Sequence, residues 1–550
     1  MIGRIYDMTV VGSGPAGLTA AIESSRLGCK RVAVIDENFV TGGQLFKQIH
    51  KFFGSKDHYA GIRGFRIGEL LLKEVSDLGV ETVTNAAIIG MFDAQADIKR
   101  LVTAGADRVG EILSKKVLVA SGAMENTVSF PGWTLPGVMG VGAAQTMMNI
   151  YRVRPGQRVL VLGAGNVGLI VAYQMLQAGI EVVGVVEAMS RIGGYQVHAD
   201  KIRRMGVPIL LSHTVKEAIG KEYVEKVVVV ELDENQKEVP RSEKPFDADA
   251  LCLAVGLTPN TELTRLAGCK HIFNRELGGL VPLHSERMET TIDGIYVAGD
   301  VAGIEEASVA IDEGRLAGTS VAEDLGMISS ESAAKTSKER WIRLCELRSE
   351  SFGEPRKRAK ISIVEEYWKV KGNQMGSKKR WFTEINTERA PSAKASRNAP
   401  SIKSNDNRKG PRAIIECYQE IPCNACETGC NFGAIKVGFP MTNLPDLDLD
   451  RCKGCGICVA KCPGLAIFVV DTSYSEKEAT VSLPYEMLPV PEVGQEVEVL
   501  GKLGGFVCKG KVIRVVHTKD FDETRVVTIS VPKECATEAR FIRVAKRSGK

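Results

Sequence analysis

Residues 6–28 read YDMTVVGSGPAGLTAAIESSRLG, and this stretch decides the architecture. An apolar strand at 6–11 runs into Gly12-Ser13-Gly14-Pro15-Ala16-Gly17, which opens a helix. In that setting the three glycines of G-x-G-x-x-G do different things. Gly12 makes the tight turn, Gly14 lets backbone approach a pyrophosphate, and Gly17 lets helix and strand pack closely. The helix N-terminus then faces the phosphates. The next strand, RVAVIDE, ends at Asp36 and Glu37, and Asp36 follows Gly12 by the offset expected of a carboxylate that accepts ribose hydroxyls. A tight turn with no ligand is the alternative.

The pattern recurs. RVLVLGAGNVGLIVAYQMLQAG at 158–179 gives strand, Gly163, Gly165 and Gly168, then a helix that begins with Asn166 and Val167. The strand EVVGVVE ends in Glu187, a carboxylate that favours a free 2′-hydroxyl and so NAD over NADP, although Arg191 lies close. NAD(H), ATP or another adenine nucleotide, or an empty architectural domain all remain open for this second site. The fold class expected is α/β, with two nested Rossmann-like domains: 1–124 with 249–325, and an insert at 125–248.

Eight cysteines follow in two groups, CYQEIPCNACETGC and CKGCGICVAKCPGLAI. The second has the C-x2-C-x2-C-x3-C-P spacing of an iron–sulfur module, in which the fourth cysteine serves the other cluster. Crossed ligation assigns Cys452, Cys455, Cys458 and Cys430 to one [4Fe-4S] cluster, and Cys417, Cys423, Cys426 and Cys462 to the other. The first group is irregular, because five residues separate Cys417 from Cys423, and a zinc site or disulfides could use the same thiols. Gly454, Gly456 and Gly464 suit turns that wrap a cluster. A ferredoxin-like module is expected at 413–474. Short strands from ATVSLPY to FIRVA make 475–550 a small β-rich domain, a barrel or sandwich.

The chain has 550 residues, 71 basic and 67 acidic, and the resulting net charge near +4 implies no nucleic-acid partner. MIGRIYDMTVVGSGPAG shows no basic, apolar and small-residue segments in succession, so no signal peptide is expected, and no apolar run is long enough to span a bilayer. Fourteen cysteines without an export signal point to a reducing compartment. The expected location is cytoplasmic, or membrane-associated through partners. Residues 351–412 hold 16 basic and 6 acidic side chains, with Trp368 and Trp381 at the basic run, so 326–412 reads as a basic linker or docking region.

LVASGA at 118–123, with Ala120, Ser121 and Gly122, and TTIDGIYVAGD at 290–300, with Gly299 and Asp300, resemble the returning segments of flavoproteins in the glutathione and thioredoxin reductase group. That resemblance implies FAD at the first site, with Asp300 near the ribityl and pyrophosphate region. Thr41-Gly42-Gly43-Gln44-Leu45 resembles the loop of thioredoxin reductases that passes the flavin ring. Cys29, Cys252 and Cys269 are single and distant, so no dithiol is expected to receive hydride, and disulfide reductase activity is a poor reading.

TLPGVMGVGAAQTMMN at 134–149, together with the cysteine-rich module, resembles the alpha, or A, subunit of heteromeric FAD-dependent amine and amino-acid dehydrogenases: dye-linked proline dehydrogenase, opine oxidase, hydrogen cyanide synthase and sarcosine oxidase. The resemblance implies a partner beta subunit like an amino-acid oxidase, a possible additional small subunit, a possible FMN at the junction between subunits, and a ferredoxin or quinone-type acceptor. The substrate would be proline, hydroxyproline, sarcosine or an opine-like compound oxidised on the partner. Many relatives have a single [2Fe-2S] type of site where this chain has a two-cluster module. Two other readings stand beside it: a self-contained NAD(P)H:ferredoxin or acceptor oxidoreductase similar to the glutamate synthase small subunit, and a non-catalytic assembly scaffold. No side chain stands out as a general base, and His50 and His58 read as structural or surface residues.

Overall fold

The computed structural model describes residues 4–95, 97–105, 109–349, 353–372, 382 and 409–544. Its first sheet forms around the strand Ile5–Val11, which is buried on both faces, with Tyr6, Met8 and Val10 on one and Asp7 and Thr9 on the other. That strand pairs in parallel with Val32–Ile35 on one side and Val109–Val119 on the other. Glu81–Val83 extends the first edge, Ile98–Gly105 and Ala86–Gln95 form an antiparallel extension of the other, and Ile295–Val297 adds in parallel to Val109–Val119. The helix Pro15–Arg26 packs along the helix Ala307–Asp324, with Ala16, Ala20 and Gly314 among the residues that bring them close.

The second sheet repeats the plan. Arg158–Leu162 lies between Glu181–Glu187 and Ala250–Leu253, with Ile209–Leu211 and Val138–Gly140 at the edges, all parallel. A three-stranded antiparallel layer, His213–Ile219, Lys226–Glu231 and Lys244–Asp247, covers it. One boundary differs from expectation. Ala250–Leu253, assigned from sequence to the returning half of the first domain, is instead a strand of the second sheet. The crossing comes later, where the outgoing Ala123–Glu125 pairs antiparallel with the returning Leu257–Pro259.

Two further expectations are corrected. The start of the supposed basic linker is a pair of helices, Ser330–Leu347 and Gly353–Val370, whose Trp341, Leu344, Leu347 and Val364 join the core of the first domain. Trp368 is packed against the same core, with its indole N–H donating to Glu286, whereas Trp381 and the polar stretch at 390–408 lie outside the described residues. The cysteine module and the C-terminal strands share one sheet rather than forming separate units. Arg412–Ile415 and Ile467–Asp471, which bracket the module, lead through Glu478–Tyr485 into Arg525–Pro532, Phe506–Val516, Glu496–Leu500 and Phe541–Arg543. Among the described residues no helix is long and apolar enough to cross a membrane.

Candidate functional site

The two glycine loops are built alike. Gly12 has φ +99°, and a side chain there would put its Cβ 2.3 Å from the Ala120 carbonyl oxygen. A Cβ at Gly17 would lie 2.0 Å from the Gly12 oxygen. At Gly14 the backbone is extended and a Cβ would meet nothing within 4 Å, so the space in front of it is open to a ligand. The second loop repeats these values: Gly163 at φ +109° with the Ala254 oxygen 2.2 Å from the added Cβ, Gly168 with the Gly163 oxygen at 2.1 Å, and Gly165 facing open space. Two glycines in each loop are required by packing, and the middle one is spared only for what approaches from outside.

Asp36 takes a different position from the simple ribose acceptor. Its Oδ2 accepts the Ser13 N–H at 2.7 Å and the Ser13 hydroxyl at 2.5 Å, while Oδ1 accepts the Asn38 N–H and side-chain amide at 2.9 Å each. Four donors fill the acceptor capacity of a carboxylate. Asp36 therefore fastens the loop to the end of the second strand, and the neighbouring exposed Glu37 is the carboxylate that faces outward. Glu187 makes the equivalent tie in the second domain, accepting from the Ala164 N–H at 2.8 Å and the Met189 N–H at 3.0 Å. Asn166 bridges the two domains: its amide donates to Glu306 at 2.9 Å and its oxygen accepts the Tyr195 N–H at 2.7 Å. Val167 is exposed beside it.

Around the first loop, Gly43 comes so close that a Cβ would lie 2.8 Å from the Gly14 Cα, and the Gly42 N–H donates to the Ser13 hydroxyl at 2.9 Å. Leu45 is buried below and Gln44 exposed above. Ala120 donates its N–H to the Val11 carbonyl at 2.8 Å, the Ser121 hydroxyl donates to the Asn260 carbonyl at 2.7 Å, and the Gly122 carbonyl accepts the Asn260 N–H. Gly299, at φ +76°, presses on Ala16 at the start of the first helix. Asp300 is thereby brought beside the start of the first helix. Burial, with the neighbouring carboxylates of Glu313 and Glu305 and against the Glu305 N–H, pushes its carboxyl up to about 7.

A charged network beneath Gly299 has no counterpart in the sequence reading. Glu313 accepts the Gly299 N–H at 3.0 Å, Arg348 at 2.7 Å and Lys360 at 2.8 Å, and Arg348 forks onto both oxygens of Glu305 at 2.7 Å. All four side chains are almost fully buried. Arg348 and Lys360 come from the segment whose local composition looks like solvated charge, so only the tertiary pairing reveals them. His58, also fully buried, bonds Asp312 at 2.8 Å, which is a structural role.

The eight cysteines gather into two cavities. Cys430, Cys452, Cys455 and Cys458 line one of about 20 Å³, and Cys417, Cys423, Cys426 and Cys462 line the other, of about 30 Å³. These are the crossed sets. None of the eight forms a disulfide, and among the described residues no three His, Cys, Asp or Glu side chains converge on a single ion. Four sulfurs spread around a cavity suit a compact cluster with one thiolate at each corner. Burial pushes the Cys423 and Cys458 thiols up to about 12, and raises Cys417 and Cys426 as well, so a strongly bound cation would be needed to make thiolates of these four. Backbone N–H groups point at sulfur from Ala434 to Cys430 at 3.2 Å, and from Ala413 to Cys452 and Ala466 to Cys462 at 3.5 Å each. Cys455 is exposed, whereas Cys462 is buried.

Residues 6–314 match the family described as Pyridine nucleotide-disulphide oxidoreductase, and residues 445–468 match the 4Fe-4S binding domain. Among curated proteins the chain is 31% identical over 353 residues to the A subunit of opine oxidase from Agrobacterium tumefaciens (strain Ach5), covering 62% of this chain and 70% of that one. It is 30% identical to the HcnB subunit of hydrogen cyanide synthase from Pseudomonas aeruginosa, covering 57% and 70%. Against the alpha subunit of sarcosine oxidase from Corynebacterium sp. (strain P-1) the identity is 27%, and the match spans 58% of this chain but only 33% of that longer protein. Among solved structures, L-proline dehydrogenase from P. horikoshii aligns with a TM-score of 0.49 at 25% identity, covering 62% of this chain and 59% of that one.

Proposed function

Because this chain belongs to the pyridine nucleotide-disulphide oxidoreductase family and is an oxidoreductase with FAD/NAD-type dinucleotide binding and a 4Fe-4S domain, we propose that it is the electron-transfer subunit of a heteromeric amine or amino-acid dehydrogenase. On this reading Gly12–Gly17, Gly43–Leu45, Ala120–Gly122 and Gly299–Asp300 hold FAD. The two crossed sets of cysteines hold two [4Fe-4S] clusters. The observation that carries the proposal is the union, in one chain, of a dinucleotide loop left open only at Gly14 and two four-cysteine cavities. A flavin accepts electron pairs and clusters pass single electrons, so a protein with both can split pairs delivered by a partner.

The substrate class is a secondary amine or amino acid of the proline, hydroxyproline, sarcosine or opine type, oxidised at a C–N bond on an amino-acid-oxidase-like beta subunit. The relatives named as subunits support a partner. An interfacial FMN, an additional small subunit and a ferredoxin or quinone-type acceptor belong to the same proposal, as does a cytoplasmic location. The second loop is competent for NAD(H) or ATP, because Gly165 is as open as Gly14. That same openness favours the second reading, a self-contained NAD(P)H:acceptor oxidoreductase. Co-expression with a beta subunit encoded nearby tests the proposal: amine-dependent dye reduction requires both chains, and an equal rate from the beta chain by itself refutes a role in electron transfer.

A further inference from the structure

The segment Ala460–Leu465 carries Cys462, the one ligand that crosses to the irregular set of cysteines, and three buried cations hold its backbone. Lys51, 3% exposed, donates to the Ala460 carbonyl, and also to the Phe521 carbonyl at 2.7 Å and the Thr524 hydroxyl at 2.8 Å. Lys201, 6% exposed, donates to the Pro463 carbonyl at 2.7 Å. Arg204, 4% exposed, donates to the Leu465 carbonyl at 2.8 Å. None of the three belongs to the cysteine module. Lys51 follows the flavin-side loop of the first domain, and Lys201 and Arg204 lie on the helix Gln196–Arg204 of the second.

The carboxylates nearby do not cancel this charge. Glu486 is bonded by Arg63 at 2.8 Å and by Thr524 at 2.5 Å, and Asp522 lies 3.8 Å from the same arginine. Glu416 is held by Arg540 at 2.9 Å and Lys502 at 2.6 Å, with Arg204 at 4.0 Å. Asp200, which acts on Arg204, is held by Arg203 at 3.5 Å, and Lys461 lies within the segment itself, so the cations around it still outnumber the carboxylates. No charged side chain lines the cavity of this set itself, so the three cations act from behind the backbone of the segment, whereas the other cavity is lined by one charged residue, Lys453, which is exposed, as is Cys455. Solvent screens an exposed ammonium strongly and a buried one weakly.

Net charge, hydrogen bonding and exposure set the potential of an iron–sulfur site. Resting on the two-cluster reading above, we infer that Lys51, Lys201 and Arg204 are positioning residues for the Cys417/Cys423/Cys426/Cys462 site: they fix the crossing ligand and place positive charge beside it, so that this site accepts an electron more readily than its own burial would allow. The dinucleotide domains thereby tune the cysteine module across their interface.

The test is an anaerobic dithionite redox titration of the full-length holoprotein, followed by electron paramagnetic resonance, with iron and acid-labile sulfide measured on the same sample. Cys462→Ser identifies the centre that belongs to the irregular set. Lys201→Met is expected to lower the midpoint of that centre so that its oxidised-to-reduced ratio at fixed potential rises about tenfold, which is about 59 mV for one electron. The other centre is expected to stay in place, and Lys201→Arg to restore the original value. Lys51→Met is expected to shift the same centre in the same direction. An unchanged midpoint with both centres present overturns the inference, as does a shift confined to the centre that survives Cys462→Ser. If the methionine variants lose that centre's iron, retention of iron and midpoint by Lys201→Arg supports the inference and their loss overturns it. Wild-type protein with iron for fewer than two clusters overturns the two-cluster reading itself, which the same iron assay distinguishes.

Discussion

Substituting alanine for Gly14 separates folding from ligand binding more cleanly than any other single change in the first loop. Its backbone is extended, with φ −68° and ψ −178°, which any residue adopts, and an added Cβ meets no protein atom within 4 Å. The apoprotein is therefore expected to fold and melt as wild type. The methyl group instead occupies the approach of the pyrophosphate, and overpacking of about 1–3 kcal/mol corresponds to roughly fivefold to 150-fold weaker dinucleotide binding. Gly17→Ala is the contrast: its Cβ would lie 2.0 Å from the Gly12 oxygen, so it is expected to damage the fold whether or not ligand is present. Calorimetric titration of FAD into apoprotein, beside thermal unfolding of the same apoprotein, reads both quantities. Unaltered FAD affinity in a normally folded Gly14→Ala protein would refute the assignment of this loop, and a lowered melting temperature of the apoprotein would refute the geometric argument.

Three other outcomes are expected. Cys430→Ser and Cys452→Ser should remove the same centre, and Cys462→Ser and Cys417→Ser the other, as read by iron content and electron paramagnetic resonance; pairing by position in the sequence instead would contradict crossed ligation. Arg348→Met leaves Glu305 and Glu313 buried with only Lys360, at a cost of about 3–5 kcal/mol, which hydrogen exchange should locate in the helices Ser330–Leu347 and Gly353–Val370. Asp300 has a folded value of about 7, above its ordinary 3.8, so the native state binds the extra proton and apoprotein stability falls as pH rises from about 4 through 7. Asp300→Asn should flatten that decline and exceed wild-type apoprotein in thermal stability above pH 7, and an unchanged pH profile would show that the carboxyl is not desolvated.

What the sequence reveals follows from which residues report their own environment. Gly12, Gly17, Gly163 and Gly168 state a backbone requirement locally, and cysteine spacing states which thiols fall together, so the build of both loops and the grouping of the cysteines around two cavities are legible. Ala250–Leu253 reads as part of the other sheet because a four-residue apolar run carries no mark of its partner, and its pairing with Arg158–Leu162 is a tertiary choice. The helices over 330–370 escape the sequence reading for a related reason. Arg348 and Lys360 look like solvated charge until Glu305 and Glu313, distant from Lys360 in sequence, are placed beside them. Asp36 is legible as an acid at the right offset, but the four donors from Ser13 and Asn38 that occupy it are not.

Whether electrons enter this chain from a partner is tested most directly by anaerobic stopped-flow mixing of the isolated, cofactor-loaded chain with NADH, following flavin and cluster absorbance together. Both bands are expected to stay oxidised until the partner and its amine substrate are supplied. Rapid bleaching of the flavin followed by cluster reduction with NADH alone would contradict entry from a partner and make the chain a self-contained reductase.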